Sequence, residues 1–204
     1  MDSLDTAQLI AIASVLGFAS GIRLYAVLFA VGLAGYMQWI ALPAGLQVLA
    51  HPWVLGASGF MMTVEFFADK IPALDSLWDT AHTLIRIPAG AAVAAAVLGG
   101  DSATWATIAA VLGGSLAATS HFTKAGSRAL INTSPEPFSN IAASGTEDVL
   151  VGGLLVLVLA YPWVAAGLVL LLVLLALWLL PRLFRYIAGL ARRVFGSSAR
   201  QPSP

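Results

Sequence analysis

Ionisable side chains inside or beside apolar segments are the residues of this chain that could do chemistry. Arg23 follows the small residues Ser20 and Gly21, and its guanidinium can give two parallel hydrogen bonds to a carboxylate or phosphate. The alternative for Arg23 is a side chain that extends to the membrane interface. Glu65 and Asp69 stand four residues apart, which places both carboxylates on one face of a helix. We predict that this pair couples transport to an ion, by binding a cation, sharing a proton or pairing with Arg23.

A second group of polar residues follows directly along the chain. Asp75, Asp79, His82 and Arg86 are spaced by four, three and four residues and so align on one helical stripe. Carboxylate and imidazole groups are common ligands of metal cations. The spacing predicts a metal site made of Asp69, Asp75, Asp79 and His82. The alternative is an amphipathic cytoplasmic helix with an ion-paired polar face, because no standard metal motif is matched.

The longest polar stretch covers residues 120–148. Pro135 and Pro137 flank Glu136 and favour an extended backbone there. Long connectors in small proteins are usually functional or disordered. We expect a re-entrant or tightly docked loop, with a solvated cytoplasmic loop as the alternative. Together with the first group, this stretch predicts a substrate-binding set for an anionic group: Arg23, Tyr25, His121, Lys124, Arg128, Asn132, Glu136 and Asn140.

Two long stretches of the chain carry no Asp, Glu, Lys or Arg, residues 24–64 and residues 149–180. An α-helix needs about 20 apolar residues to cross a hydrocarbon core of roughly 30 Å. Hydrophobic residues make up 59% of the 204 residues and charged residues 10%, and the mean hydropathy is +0.90. The chain is therefore predicted to be an all-α, polytopic transmembrane helical bundle. It has no cysteine, which excludes disulfides and thiolate chemistry.

We expect about six membrane segments, in the ranges 22–39, 52–67, 87–98, 104–119, 149–160 and 163–180. The ranges 87–98 and 149–160 are short for a span, so we expect them to be tilted, extended beyond these bounds, or re-entrant or broken. The stretch 4–18 could dip into the inner leaflet and return.

The placement of basic residues predicts the orientation of the chain. With six segments, every loop that carries Lys or Arg lies on the side of the basic C-terminus, and tryptophans lie at the opposite loops. Both termini are then cytoplasmic. We predict a transmembrane domain over residues 1–181, a basic amphipathic cytoplasmic helix over 182–195 and a disordered tail over 196–204.

Two segments carry a resemblance to a known family. They are Glu65-Phe66-Phe67-Ala68-Asp69-Lys70-Ile71-Pro72, continued by Asp75, Asp79 and His82, and Ser134-Pro135-Glu136-Pro137-Phe138-Ser139-Asn140. From about residue 7 to residue 180 the chain resembles a family of small bacterial integral membrane proteins described as a domain of unknown function. The resemblance implies a multi-pass protein of the bacterial inner membrane and no particular activity. The prolines around Glu136 are also similar to those of DedA-type lipid-carrier translocases, whose fuller acidic motif is not present.

Three functions fit these observations. The first, which we adopt, is a membrane transporter or translocase for a small anionic solute or a lipid phosphate headgroup, coupled to a cation. The second is a membrane-embedded, metal-dependent enzyme that acts on a lipid phosphate through the predicted metal site. The third is an oligomeric channel or structural membrane protein that packs through its Gly-rich helix faces.

Cofactors, partners and catalytic residues follow from the same reading. The expected cofactor is a divalent or monovalent cation. The expected partners are membrane lipids and further copies of the chain, with no nucleic acid. No catalytic residue is assigned, because the chain has no Ser-His-Asp, paired-histidine or phosphate-loop motif.

Overall fold

The computed structural model describes residues 5–99, 102–133 and 136–196. These residues contain no strand, so the prediction of an all-α fold is confirmed. The α-helices are α1 (Thr6–Tyr36), α2 (Pro52–Ala68), α3 (Pro72–Leu98), α4 (Ala103–Ile131), α5 (Phe138–Ala160) and α6 (Pro162–Gly196). A 3-10 helix, Ala44–Ala50, lies between α1 and α2.

Five of the described helices, α1 and α3 to α6, are long and apolar enough to cross a membrane. The sixth helix, α2, has 17 residues and is shorter than each of these five. Five of the six predicted segments fall within one helix each, and the other, 22–39, runs three residues past the end of α1 at Tyr36. The expected polytopic bundle is confirmed. The number of long spans is five rather than six because α2 ends at Ala68, just before Asp69.

The two segments predicted to be short are parts of longer helices. Residues 87–98 form the C-terminal part of α3, which begins at Pro72 and continues through Pro88. Residues 149–160 form the C-terminal half of α5. Neither segment is broken. The alternative that both extend beyond the predicted bounds is confirmed, because the polar first halves of α3 and α5 are helical as well.

The polar stretch 120–148 is also mostly helical. Helix α4 continues to Ile131 and α5 begins at Phe138, which leaves residues 132–137 as the connection. The expected re-entrant or docked loop is therefore a helical hairpin. Lys124 and Arg128 are one turn apart, so both point to the same side of α4, where they are buried.

Helix α1 is broken at Arg23, whose φ of −140° and ψ of 72° are not helical. The turn before it must come very close to α4. A Cβ on Gly21 would lie 2.0 Å from Ser120 Oγ and 2.2 Å from the Ala117 carbonyl oxygen. Ser120 Oγ in turn donates a hydrogen bond of 2.7 Å to the Phe18 carbonyl. These contacts hold the first arm of α1, residues 6–22, against α4.

The first arm makes a second close backbone contact with α4 at Gly17. A Cβ on Gly17 would lie 2.7 Å from Gly113 Cα of α4, and one on Gly90 of α3 would lie 3.4 Å from the Gly17 carbonyl oxygen. Because Gly17 lies opposite Gly113 and Gly21 opposite Ala117, the arm is parallel to α4. Its start therefore lies toward the end of the bundle where α4 begins.

The second arm, residues 24–36, returns toward that same end. Gly32 lies against Leu49 of the 3-10 helix, and Gly45 of that helix lies against Ala96 near the end of α3. Arg23 is thus the vertex of a V. The arms are about 25 Å and about 20 Å long at 1.5 Å per residue, less than the roughly 30 Å hydrocarbon core. Neither arm is long enough to cross the hydrocarbon core by itself.

The two ends of the described chain lie at opposite ends of the bundle. Helix α6 continues through Pro181, and its Leu183 packs against Gly126 near the end of α4. The prediction that both termini share one side took residues 22–39 as the first span and let residues 4–18 dip in and return. The first arm instead runs along α4 toward its start. The predicted helix 182–195 continues α6, and residues 197–204 of the predicted tail lie outside the described residues.

Large apolar side chains cover the outside of the bundle while arginines fill its inside. Leu84, Val111 and Leu170 have exposed fractions of 83%, 67% and 61%. Arg86 and Arg128 are 0% and 1% exposed. Lipid rather than water suits such an outer surface, since apolar tails accept apolar side chains without cost.

Candidate functional site

Ten charged residues meet where the vertex of α1 faces the end of α2, the first half of α3, the last turns of α4 and the first half of α5. We call them the charged cluster. Its carboxylates are Glu65, Asp69, Asp75, Asp79, Glu147 and Asp148, and its cationic side chains are Arg23, Arg86, Lys124 and Arg128. Carboxylates outnumber cationic groups in the cluster.

Asp69 lies at the centre of the charged cluster and is fully buried. Its Oδ2 accepts one contact of 2.8 Å from Arg23 Nη1 and another of 2.8 Å from Lys124 Nζ. Lys124 also lies 3.2 Å from Glu147 Oε2 and 3.6 Å from Asp79 Oδ1. A single carboxylate thus joins the broken helix α1 to α4.

The break in α1 is itself held by this network. Lys124 Nζ donates a hydrogen bond of 3.3 Å to the carbonyl of Ile22, which directly precedes the break. Arg23 Nη2 donates to Ser144 Oγ at 2.8 Å and lies 3.1 Å from Asp148 Oδ1. Non-helical backbone is tolerated at membrane depth only where protein or a wet cavity satisfies it. The charged cluster supplies those partners.

Arg86 forms a second centre within the charged cluster. Its guanidinium lies 2.5 Å from Glu65 Oε1 and 2.6 Å from Asp79 Oδ1. The buried His121 is adjacent, with Nδ1 3.3 Å from Arg86 Nη1 and Nε2 2.8 Å from Thr83 Oγ1. Burying charges is costly unless they are paired, and Arg86 meets a carboxylate on each side.

Arg128 joins α4 to α5. It lies 2.9 Å from Glu147 Oε1 and donates to Asn140 Oδ1 at 2.8 Å. Asn140 Nδ2 donates to Asn132 Oδ1 at 2.5 Å, and Asn132 Nδ2 donates to Asp75 Oδ2 at 3.1 Å. The structure therefore brings together most of the predicted substrate-binding residues. Their hydrogen-bonding groups are already paired with amide and carboxylate groups of the protein.

Tyr25 and His82 lie at the edge of the charged cluster. Tyr25 Oη is 3.1 Å from His82 Nε2, and the imidazole of His82 stacks on Trp78 with ring centroids 4.0 Å apart. His82 Nδ1 is 2.8 Å from the Trp78 carbonyl oxygen. Both ring nitrogens thus have partners other than the carboxylates with which His82 was predicted to bind a metal.

Three of the four predicted metal ligands do lie together. Asp69, Asp75 and Asp79 each place a carboxylate oxygen within 4.8 Å of the others, and all three are buried. Among the described residues, Asp69 Oδ1, Asp75 Oδ1 and Asp79 Oδ2 have no hydrogen-bond partner. Oxygen ligands of this kind suit a hard cation. A cation there would share these carboxylates with the cationic side chains described above.

Glu136 lies apart from the charged cluster and caps α5. Its Oε2 accepts hydrogen bonds from the backbone nitrogens of Phe138, at 2.7 Å, and Ser139, at 3.2 Å. Hydrogen bonds from Ser139 and Phe138 hold the pKa of Glu136 below its usual value. The position favours a role at the helix terminus.

The predicted site omits four residues that the structure places in or against the charged cluster: Arg86, Ser144, Glu147 and Asp148. Asn140, Ser144 and Glu147 are spaced by four and three residues, which is the signal of one helical face. The nearby prolines predict an extended backbone instead. Arg86 belongs to the predicted stripe of α3 but not to the predicted metal ligands, since a guanidinium only donates hydrogen bonds.

Two cavities reach the charged cluster from different sides. The first, of about 360 Å³, lies between α1, α2 and α5, and its lining is Arg23, Ala26, Met62, Thr63, Glu65, Phe66 and Asp148. The second, of about 310 Å³, lies between α1, α4, α5 and α6 and includes Lys124 and Glu147. Arg23 reaches the first cavity and Lys124 the second, and both bind the same oxygen of Asp69.

The helices and the charged cluster define a polytopic α-helical membrane protein with an ion-paired polar interior. Residues 10–182 match the model of a family described as a domain of unknown function, DUF4126, and the chain belongs to that family. No curated protein and no solved structure matches the chain. The expected family is thus confirmed, and the similarity to DedA-type translocases is not supported.

Proposed function

We propose that this protein is a membrane transporter or translocase that moves an anionic group, a small solute or a lipid phosphate headgroup, together with a proton or another cation. The observation that supports this most directly is Asp69, whose Oδ2 is shared at 2.8 Å by Arg23 and by Lys124. These two cationic groups reach different cavities. Broken helices with buried charges are typical of transporter substrate sites.

Coupling to a cation follows from the excess of carboxylates. An anionic group that binds Arg23 displaces Asp69 or Asp148 from the guanidinium. A carboxylate that loses its cationic partner inside a membrane protein is costly to keep charged, so it takes up a proton or binds a cation. Binding of the anionic group is thereby linked to uptake of positive charge.

Exchange of partners at Asp69 provides a path between the two cavities. Lys124 lies within reach of three carboxylates, Asp69, Asp79 and Glu147, at 2.8, 3.6 and 3.2 Å. It can therefore leave Asp69 without becoming unpaired. A group bound to Arg23 in the first cavity can then pass to Lys124 in the second.

The proposed location is the bacterial inner membrane, with the end of α6 in the cytoplasm. Arg182, Arg185 and Arg192 lie in the last part of α6, and basic residues near the ends of spans favour the cytoplasmic side. The charged cluster is then closer to the cytoplasmic leaflet, because α4 also ends at that side of the bundle.

The test is transport in liposomes that contain the full-length protein. Two probes cover the proposed cargo: inorganic phosphate for a solute, and a phospholipid with a fluorescent acyl chain, followed by chemical extraction from the outer leaflet. We expect flux of one probe above that of protein-free liposomes, and a response to an imposed pH or sodium gradient.

The matched variants replace a carboxylate by an amide. Asp69→Asn should lower the flux at least about tenfold, because loss of a buried ion-pair partner exceeds the 1.4 kcal/mol that corresponds to a factor of ten. Glu136→Gln, which lies outside the charged cluster, should leave the flux unchanged. Equal flux in Asp69→Asn and wild type, or no flux of either probe, would overturn the proposal.

A metal-dependent enzyme that acts on a lipid phosphate is the second candidate, supported by the proximity of Asp69, Asp75 and Asp79. These carboxylates would hold the metal, which would activate water or polarise the phosphate. Elemental analysis of gently purified protein, before and after addition of Mg²⁺ or Mn²⁺, tests this. A stoichiometric metal that is lost in Asp75→Asn supports the enzyme, and its absence in both preparations rules it out.

A further inference from the structure

We propose that the cavity between α1 and α2 binds the headgroup of a phospholipid that carries both a phosphate and a primary amine. This inference rests on the proposed function, since it names the substrate class for the same site. It depends on three features of the cavity: the division between a charged floor and a mostly apolar mouth, one free donor beside one free acceptor, and the opposite charges of the two floor residues.

The cavity has a charged floor and a mostly apolar mouth. The buried Arg23 and Glu65 form the floor, and the mouth includes Met62, Phe66 and the partly exposed Asp148. Phe66 is 41% exposed on the outer face of α2, where lipid chains would lie. Apolar residues at the mouth contribute nothing to the binding of a soluble ion. A phospholipid has a charged headgroup that would contact the floor and apolar chains that would contact the mouth. The volume of about 360 Å³ falls within the usual range of small-molecule pockets.

The floor offers one free donor and one free acceptor. Among the described residues, Arg23 Nε and Glu65 Oε2 have no hydrogen-bond partner, although Arg23 is 2% exposed and Glu65 is 0% exposed. Buried polar atoms without partners are uncommon, and each calls for a ligand or a water molecule. A phosphate oxygen can accept from Arg23 Nε, and an ammonium group can donate to Glu65 Oε2.

The charges of the floor suit a zwitterion. Arg23 and Glu65 carry opposite charges, so a phosphate and an ammonium group each meet an opposite charge there. A headgroup with a phosphate alone would leave Glu65 Oε2 without a donor. A quaternary amine carries the same charge but has no N–H to donate.

The first test is lipid selection by the full-length protein in nanodiscs made from equal amounts of phosphatidylethanolamine, phosphatidylcholine and phosphatidylglycerol. Native mass spectrometry, after removal of loosely bound lipid, identifies what is retained. We expect one phosphatidylethanolamine, in about tenfold excess over phosphatidylcholine, since the two differ in a hydrogen bond to a charged group. Equal retention of these two lipids, or preference for phosphatidylglycerol, would overturn the proposal.

Two variants locate the retained lipid. Ala26→Leu fills the mouth of the cavity without touching an ion pair and should abolish retention. Ala57→Leu makes the same change on the exposed face of α2 and serves as its control. Retention that survives Ala26→Leu places the lipid elsewhere and refutes the inference. Glu65→Gln should reduce the preference for phosphatidylethanolamine over phosphatidylcholine to about equal, through loss of the charged acceptor.

Two further measurements identify the source of the ligand and distinguish this inference from the proposed transport function. Free O-phosphoethanolamine should fail to displace the lipid at concentrations where lysophosphatidylethanolamine succeeds; equal displacement would assign the site to a soluble compound and overturn the lipid. Selective retention without lipid flux in liposomes would keep this inference and refute transport. Lipid flux with no preference for phosphatidylethanolamine would keep transport and refute this inference.

Discussion

The two ends of the helical bundle are held together by different forces. Toward the start of α4, the backbones of α1, α3 and α4 meet at Gly17, Gly90 and Gly113, where even a methyl group would clash. At the vertex of α1, charged side chains join the helices instead. A glycine contact has one geometry, whereas Lys124 has three carboxylates within reach. One end is thus suited to remain fixed while partners are exchanged at the other.

The largest effect is expected at the centre of the charged cluster. Asp69→Ala leaves Arg23 and Lys124 without their shared carboxylate and should lower the free energy of unfolding by about 3–5 kcal/mol. Asp148→Ala removes a carboxylate that is 38% exposed, so its effect should remain below about 1 kcal/mol. Thermal unfolding in a mild detergent, followed by tryptophan fluorescence, measures both. Similar losses for the two variants would show that burial does not set the strength of these pairs.

The glycine end should respond to a single methyl group. In Gly17→Ala the new Cβ would lie 2.7 Å from Gly113 Cα, and overpacking of this kind costs about 1–3 kcal/mol. Gly152→Ala is the control, because no atom of the described chain lies within 4 Å of its Cβ. The same unfolding assay applies. If Gly17→Ala were as stable as Gly152→Ala, the close backbone contact would not hold this end together.

A smaller effect is expected where the charged cluster ends. Tyr25→Phe removes the contact of 3.1 Å between the hydroxyl and His82 Nε2, which should cost about 0.5–1.5 kcal/mol. Tyr36→Phe is the control, since Tyr36 is 55% exposed at the end of α1. A null result for Tyr25→Phe would limit the charged cluster to its ion pairs.

The smallest effect is expected outside both regions, at Glu136. Its folded pKa lies below the usual value, so ionised Glu136 stabilises the fold above the ordinary glutamic acid range, and this stabilisation is lost as the pH falls through the folded pKa. Glu136→Gln should therefore unfold slightly earlier than wild type at neutral pH. The two melting temperatures should converge in acid. A difference that persists at low pH would point to a cause other than ionisation.

The sequence predicted which residues are unusual better than it predicted the backbone that carries them. Buried charge is expensive in a membrane, so Arg23, Glu65 and Asp69 could be recognised from their apolar surroundings alone. The helical face formed by Asn140, Ser144 and Glu147 was missed, because prolines near Glu136 suggested an extended chain. Those prolines end before Phe138, where α5 begins. Local signals of one or two residues thus limited the predicted membrane segment, 149–160, to the second half of α5.

The sequence by itself determined the solvent and the class of fold. Long apolar stretches require lipid around them, and lipid requires helices that satisfy their own backbone. Only the tertiary structure decided where α1 breaks and which charges pair. Arg23 meets Ser144, which is 121 positions away in the chain, and no local pattern encodes such a partner. The break at Arg23 is stable because α2, α4 and α5 bring Asp69, Lys124 and Ser144 to it, and that convergence depends on how the helices pack.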